Sequence, residues 1–257
     1  MSRKFDTTIQ GAHIYIGPGA GRPIKDALDN AKKSIDIITP YMTLDYLNYL
    51  LRRKAEGVEV NLVTSTDCAC RPQEREEIAR ALVEQHREDI SGAKARRGRY
   101  RLYGVTFFLL ASATVYAHLA KVVPAQLAGQ YAWIFAGIFA LASFLIFNEA
   151  KNVALFSYSY RPRINFVAYK TWKPGDTDRC FLMHAKVYVV DRASIYTGSV
   201  NLTEAAFRFN YEVRADIVDP KAACEVSREI LSMIAEPWGQ VKACTELGQA
   251  VYAEPLA

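Results

Sequence analysis

His184 and Lys186 stand two residues apart within Phe181–Val190, a stretch that reads as a β-strand. Alternate strand residues project from one face, so an imidazole and an ammonium would lie side by side. That pair suits a tetrahedral phosphate. Imidazole attacks phosphorus near neutral pH, and the ammonium stabilises charge on the non-bridging oxygens. Ser199 and Asn201, again two apart, offer a hydroxyl and an amide to the same group. Glu212, if close in space, would hold the imidazole in its working tautomer. A lone His-x-Lys pair would carry little weight. Here Asp191, Gly198, Ser199, Asn201 and Glu212 follow it in order.

The run from His184 to Asn201 resembles the phospholipase D signature, His-x-Lys-x4-Asp-x6-Gly-Ser-x-Asn, at every fixed position. Asn210-Tyr211-Glu212 resembles the element in which that superfamily carries the carboxylate that orients the nucleophile. The resemblance implies that His184 forms a phosphohistidine and that a second signature histidine protonates the leaving group. It also implies that Lys186, Ser199 and Asn201 bind the phosphate, with Asp191 and Gly198 supporting the structure. It implies a reaction that needs no metal or other cofactor.

The usual members hold two signatures in one chain, and this chain holds one. Its other histidines open no second motif, since Tyr15 follows His13, Glu88 follows His86, and His118 lies in an apolar segment. The second histidine is therefore expected from another copy, which predicts a symmetric homodimer.

Other features read more plainly. Gly17-Pro18-Gly19-Ala20-Gly21 lacks the Lys-Ser/Thr ending of a phosphate-binding loop and is read as a turn. The aromatic run Phe156–Tyr160 is read as sheet packing. Cys68, Cys70, Cys180, Cys224 and Cys244 are odd in number and irregular in spacing, which argues for reduced thiols in or near a core.

The elements that must position these groups alternate. Strands are expected at 13–16, 34–39 and 58–64, with helices at 23–32 and 43–55 between them and a charged helix at 73–90. After residue 147, strands at 163–169, 181–190 and 211–218 and a helix at 221–235 follow, with a turn at 173–178 and no clear periodicity in the last twenty residues. This is the pattern of an α/β fold, and the resemblance implies a phospholipase D-like mixed sheet flanked by helices. The expected organisation is a catalytic domain in two parts, 1–101 and 148–257, interrupted by a hairpin at 102–147.

That insertion comprises two segments, 102–120 and 128–147, the second without any charge. Each is long enough to cross a bilayer core, which favours a transmembrane hairpin over buried core helices. Ala128, Ala132, Ala136 and Ala140, with Gly137 beside them, suggest a small-residue packing face. Net charge is +5, and Lys94, Arg96, Arg97, Arg99 and Arg101 account for all of it. With Lys151, Arg161 and Arg163 they flank the same side of the hairpin, which by the positive-inside rule faces the catalytic domain to the cytoplasm. The N-terminal segment lacks the apolar stretch of a signal peptide, in keeping with that placement.

Two substrate classes follow. A membrane hairpin favours phospholipid head groups, hydrolysed or transferred. The basic cluster also suits a metal-independent nuclease acting on nucleic acid. A non-catalytic membrane adaptor is the third reading, and the intact signature argues against it.

Overall fold

The computed structural model describes residues 5–9, 11–69, 71–122, 131–171, 183–237 and 239–256. The chain divides into two compact units, one of residues 1–85 and 160–252, the other of 86–159 and 253–257.

The first unit is built on an eight-stranded mixed sheet in the order β1-β2-β10-β9-β8-β3-β4-β7. Its strands are β1 (Phe5–Ile9), β2 (Ala12–Pro18), β3 (Ser34–Ile38), β4 (Glu59–Ser65), β7 (Asn165–Tyr169), β8 (Val187–Val190), β9 (Ser194–Gly198) and β10 (Tyr211–Ile217). β3, β4 and β7 run parallel, and the rest pair antiparallel. Every residue of β3 is buried, as expected of a central strand covered on both faces. Ile35 and Ile37 join one core with Ile24 and Leu28 of α1 (Arg22–Asn30) and Leu47 and Leu50 of α2 (Leu44–Ala55). Ile38, Val63 and Val189 face the other way, onto Ala223, Ile230 and Met233 of α7 (Pro220–Ala235). The period of two therefore divides each central strand between two cores.

The second face also buries a polar network. The Asp36 carboxylate accepts from Asn61 Nδ2 at 2.6 Å and from Ser227 Oγ at 2.7 Å, and Asn165 Nδ2 donates to Asn61 Oδ1 at 2.7 Å. Burial pushes the Asp36 carboxyl above the usual carboxylate range, against the hydrogen bonds from Asn61 and Ser227.

The expected helix at 73–90 is half wrong. α3 (Arg75–Leu82) stops where Val83 turns extended, and β5 (Val83–Asp89) pairs with β6 (Phe156–Pro162) in a separate two-stranded sheet. The Tyr252 hydroxyl donates to the carbonyls of Arg80 at 3.1 Å and Val83 at 2.9 Å, satisfying groups a longer helix would have used itself. The Arg87 guanidinium sits 4.5 Å from the centre of the Phe156 ring. Strand pairing outweighs the helix preference of Glu, Gln and Arg here. The aromatic run at 156–160 does pack as a strand.

A helix that periodicity did not reveal, α8 (Cys244–Val251), lies flush on Tyr160. A Cβ on Gly248 would come within 2.0 Å of that ring. The short helix α6 (Glu204–Arg208), capped by Thr203 Oγ1, follows the signature. Cys68 is buried, Cys244 half-buried and Cys224 exposed on α7, the last outside the expected core setting. Cys70, Cys180 and the expected turn at 173–178 lie outside the described residues.

In the second unit, α4 (Ala93–Leu119) and α5 (Tyr131–Asn152) pack against each other. Both are long and apolar enough to cross a membrane. α4 starts nine residues before the expected 102 and takes the basic cluster into the helix. The covered positions of α4 include 93, 97, 100, 104, 107, 111, 114 and 118, and those of α5 include 132, 136, 139, 143, 146 and 150. That alternation of four and three is the seam of a left-handed helix pair. Small residues let the backbones close in: Ser143 Oγ donates to Gly104 O at 2.8 Å, and a Cβ on Gly104 would press on Phe147 at 3.0 Å. The small-residue face, expected to pack on the first helix or on a second copy, is met within the chain at Ala132 and Ala136. Ala136 lies in the seam, but Ala140 and Gly137 are exposed, because a strict four-residue step drifts off one helix face, whereas steps of three and four hold it. Ala128 lies outside the described residues.

Candidate active site

The signature residues other than Asp191 lie toward one end of the central strands of the eight-stranded sheet, where β3 ends and β8 begins. His184 and Lys186 do not lie within the strand as expected; β8 starts at Val187, and residues 181–182 are outside the described residues. The ladder runs out there because Val187 pairs with Ile38, the last residue of β3, and Pro40 soon follows. His184 is therefore exposed beyond the last rung, while Lys186 is buried to 5% exposure.

The side chains nevertheless meet. Lys186 Nζ lies 3.2 Å from both ring nitrogens of His184 and donates to the His184 carbonyl at 2.8 Å. Burial lowers the Lys186 pKa from the ordinary lysine value, and the charge of Glu212 opposes that fall. Thr197 Oγ1 donates to the Lys186 carbonyl at 3.1 Å, tying this segment to β9.

Gly198 ends β9 with φ +151°, and a Cβ there would fall 2.0 Å from Val213 O. Only glycine lets β9 and β10 approach this closely. Across that contact Ser199 N donates to Val213 O and Val213 N donates to Ser199 Oγ, both at 3.0 Å. The Ser199 hydroxyl donates to Glu212, whose other oxygen accepts from Asn210 Nδ2 at 3.1 Å. Among the described residues no hydrogen bond joins Glu212 to His184 of the same chain.

Asn201 offers its amide differently. Its Oδ1 is buried without a hydrogen-bond partner among the described residues, a costly state for an acceptor, while its Nδ2 hydrogens are the donors that could meet an anion. The Tyr188 hydroxyl donates to Val200 O at 2.9 Å and so props the Ser199–Asn201 segment from below. Tyr188 shares the strand alternation of His184 and Lys186, the one signal that could have drawn attention to it.

Asp191 stands apart from the reacting edge. Its carboxylate accepts from the backbone N–H groups of Lys32 at 2.9 Å, Lys33 at 2.6 Å and Ser34 at 3.0 Å, closing the turn between α1 and β3. Burial alone would raise its pKa, but these three donors together hold it below the usual carboxylate range. The other histidines have separate settings. His13 Nδ1 lies 3.2 Å from Asp216, His118 meets the Trp133 ring edge-on at 5.3 Å, and His86 lies on β5. Of the glycine run, Gly17 and Pro18 belong to β2 and only residues 19–21 form the expected turn, with Gly19 at φ +74° and Gly21 so close to Phe207 that a Cβ would clash at 2.4 Å.

What the structure brings together here is an exposed imidazole with a buried ammonium against it, a pair able to meet an anionic group. Residues 142–234, which include every signature residue, match the family model described as cardiolipin synthase, PLD-like domain. No curated protein matches the chain. Among solved structures, the chain is similar to Nuc of Salmonella typhimurium, a phospholipase D family member, at 16% identity, covering 90% of this chain and 98% of that one with a TM-score of 0.41. NucT of Helicobacter pylori is 12% identical over 89% of this chain and 98% of that one, with a TM-score of 0.46. Phosphatidylserine synthase of Haemophilus influenzae Rd KW20 is 16% identical over 95% of this chain and 44% of that one, with a TM-score of 0.39. The match to the PLD-like family model thus spans residues 142–234 and takes in the whole run from His184 to Asn201.

Proposed function

We propose that this protein is a membrane-anchored phosphodiesterase that acts on phospholipid head groups through a phosphohistidine, at a site shared by two copies of the chain. The observation that carries this reading is the buried Lys186 ammonium 3.2 Å from the exposed imidazole of His184. In the first step a His184 nitrogen attacks phosphorus and the P–O bond to the leaving group breaks. The imidazolium of the second copy's His184 gives its proton to the departing oxygen. Water or an alcohol then loses a proton to that imidazole and attacks phosphorus, and the P–N bond breaks. Lys186 and Asn201 bind the non-bridging oxygens. Ser199 and Glu212 brace the strands on which they sit.

The lipid reading draws on the hairpin. Phe108, Leu109 and Phe144 are 59%, 60% and 68% exposed, an outer surface suited to acyl chains. Tyr100 and Tyr103 near one end, and Tyr116, Tyr131 and Trp133 near the other, match the aromatic belts of a bilayer span. In this reading the catalytic domain faces the cytoplasm. The full chain, purified in detergent and assayed without divalent metal on phospholipid vesicles and on single- and double-stranded DNA and RNA, tests it. Release or exchange of head groups is expected. Cleavage of nucleic acid alone would make it a membrane-tethered nuclease, and no turnover on any of them would leave an adaptor.

A further inference from the structure

The basic cluster is part of the α4 helix, and among the described residues its four arginines lack the carboxylate partners that several other arginines have. Arg53, Arg75, Arg192, Arg208 and Arg214 each meet a carboxylate within 3.2 Å. Of the cluster, Lys94 pairs with Asp89 at 3.1 Å, and Arg96, Arg97, Arg99 and Arg101 meet no acidic side chain among the described residues. Arg97 lies in the helix seam with its Nε buried and without an acceptor. The facing end of α5 brings Glu149 and Lys151, which cancel.

At about 1.5 Å per residue, positions 94–101 occupy roughly 10 Å of the helix axis, directly before the apolar span. At about 100° per residue, Arg97 and Arg101 point to one side of α4 and Arg96 and Arg99 to the other, around the seam. The guanidiniums therefore form a collar at head-group depth whenever the apolar part lies in the bilayer. A signal for orientation alone would be met by any cations here. Four unpaired arginines, each able to grip phosphate oxygens with two N–H groups, fit a more specific role.

We infer that Arg96, Arg97, Arg99 and Arg101 form a binding collar for anionic phospholipids and retain such lipids around the hairpin. The inference rests on the membrane reading of α4 and α5 and is independent of the chemistry at His184.

The full chain is solubilised with equimolar phosphatidylglycerol and phosphatidylcholine, and the lipids it retains are counted by native mass spectrometry. Retention of phosphatidylglycerol about tenfold over phosphatidylcholine is expected, falling steeply at high salt. The variant carrying Arg96→Gln, Arg97→Gln, Arg99→Gln and Arg101→Gln should fall to near parity. It should still turn over a soluble phosphodiester, bis(p-nitrophenyl) phosphate, at the wild-type rate. His184→Ala should do the reverse, keeping the lipid preference without turnover. Equal retention by the wild type, or an unchanged preference in the arginine variant, overturns the collar. So does a variant that loses binding of duplex DNA while keeping its lipid preference, which would assign the arginines to nucleic acid. The salt series on the wild type decides the matter if the variant does not insert.

Discussion

The Ser199 hydroxyl is committed on both sides, donating to Glu212 and accepting from the N–H of Val213 at 3.0 Å. A serine used this way braces β9 against β10 and positions its neighbours. Ser199→Ala should lower kcat about tenfold with little change in KM, as removal of a positioning group does. A large rise in KM at constant kcat would instead mark Ser199 as a direct binding group.

Lys186 makes the pH dependence specific. Burial lowers its pKa, so its charge is lost on raising pH sooner than from an ordinary lysine. The alkaline limb of kcat/KM should therefore fall below the usual lysine range. Lys186→Met should cost about 100-fold or more in kcat/KM, as loss of a charge-stabilising group does. In Lys186→Arg, whatever activity survives should lose that alkaline limb, because a guanidinium stays charged. A limb that persists in the arginine variant belongs to another group.

Asp191 is expected to matter to stability. Burial pushes its pKa up, but the N–H groups of Lys33, Lys32 and Ser34 together outweigh burial and leave it depressed in the folded state. Its contribution is thus full above the unfolded-state pKa of about 3.9 and is lost as pH falls through the folded value. Asp191→Ala should cost about 1 kcal/mol at neutral pH, the size of a lost cap on largely exposed donors. Thermal unfolding of the detergent-solubilised chain at pH 7 checks this. Its difference from wild type should shrink at low pH.

Gly198 carries the close approach of β9 to β10. Gly198→Ala places a Cβ 2.0 Å from Val213 O and strains a backbone at φ +151°. A loss of about 3 kcal/mol or more is expected, with turnover falling alongside, because the strands that hold Ser199 and Glu212 must part. Near-wild-type stability would mean that the strands separate at little cost.

Much of this was legible in the residues. β3, β4, β7 and β10 show strand patterns of their own, and α1, α2 and α7 carry apolar stripes facing a sheet. β5 was not legible, because Val83–Asp89 has a helix-forming composition and becomes a strand only through β6 and the Tyr252 hydroxyl. α8 escaped because eight residues with two buried positions carry too little periodicity. In the site, the spacing of His184, Lys186, Ser199 and Asn201 was visible. The commitment of Ser199 to Glu212 and the unpartnered oxygen of Asn201 are products of long-range approach, which spacing does not encode.

The account turns on two copies of His184 serving one phosphorus, one as nucleophile and one as acid. Differently tagged wild-type and His184→Ala chains, co-expressed and purified through both tags, isolate the mixed dimer. Its turnover per dimer should be lower than wild type by about 100-fold or more, the usual loss when a general acid or a nucleophile is removed. Half the wild-type rate would mean that each chain works alone, and would contradict the shared site.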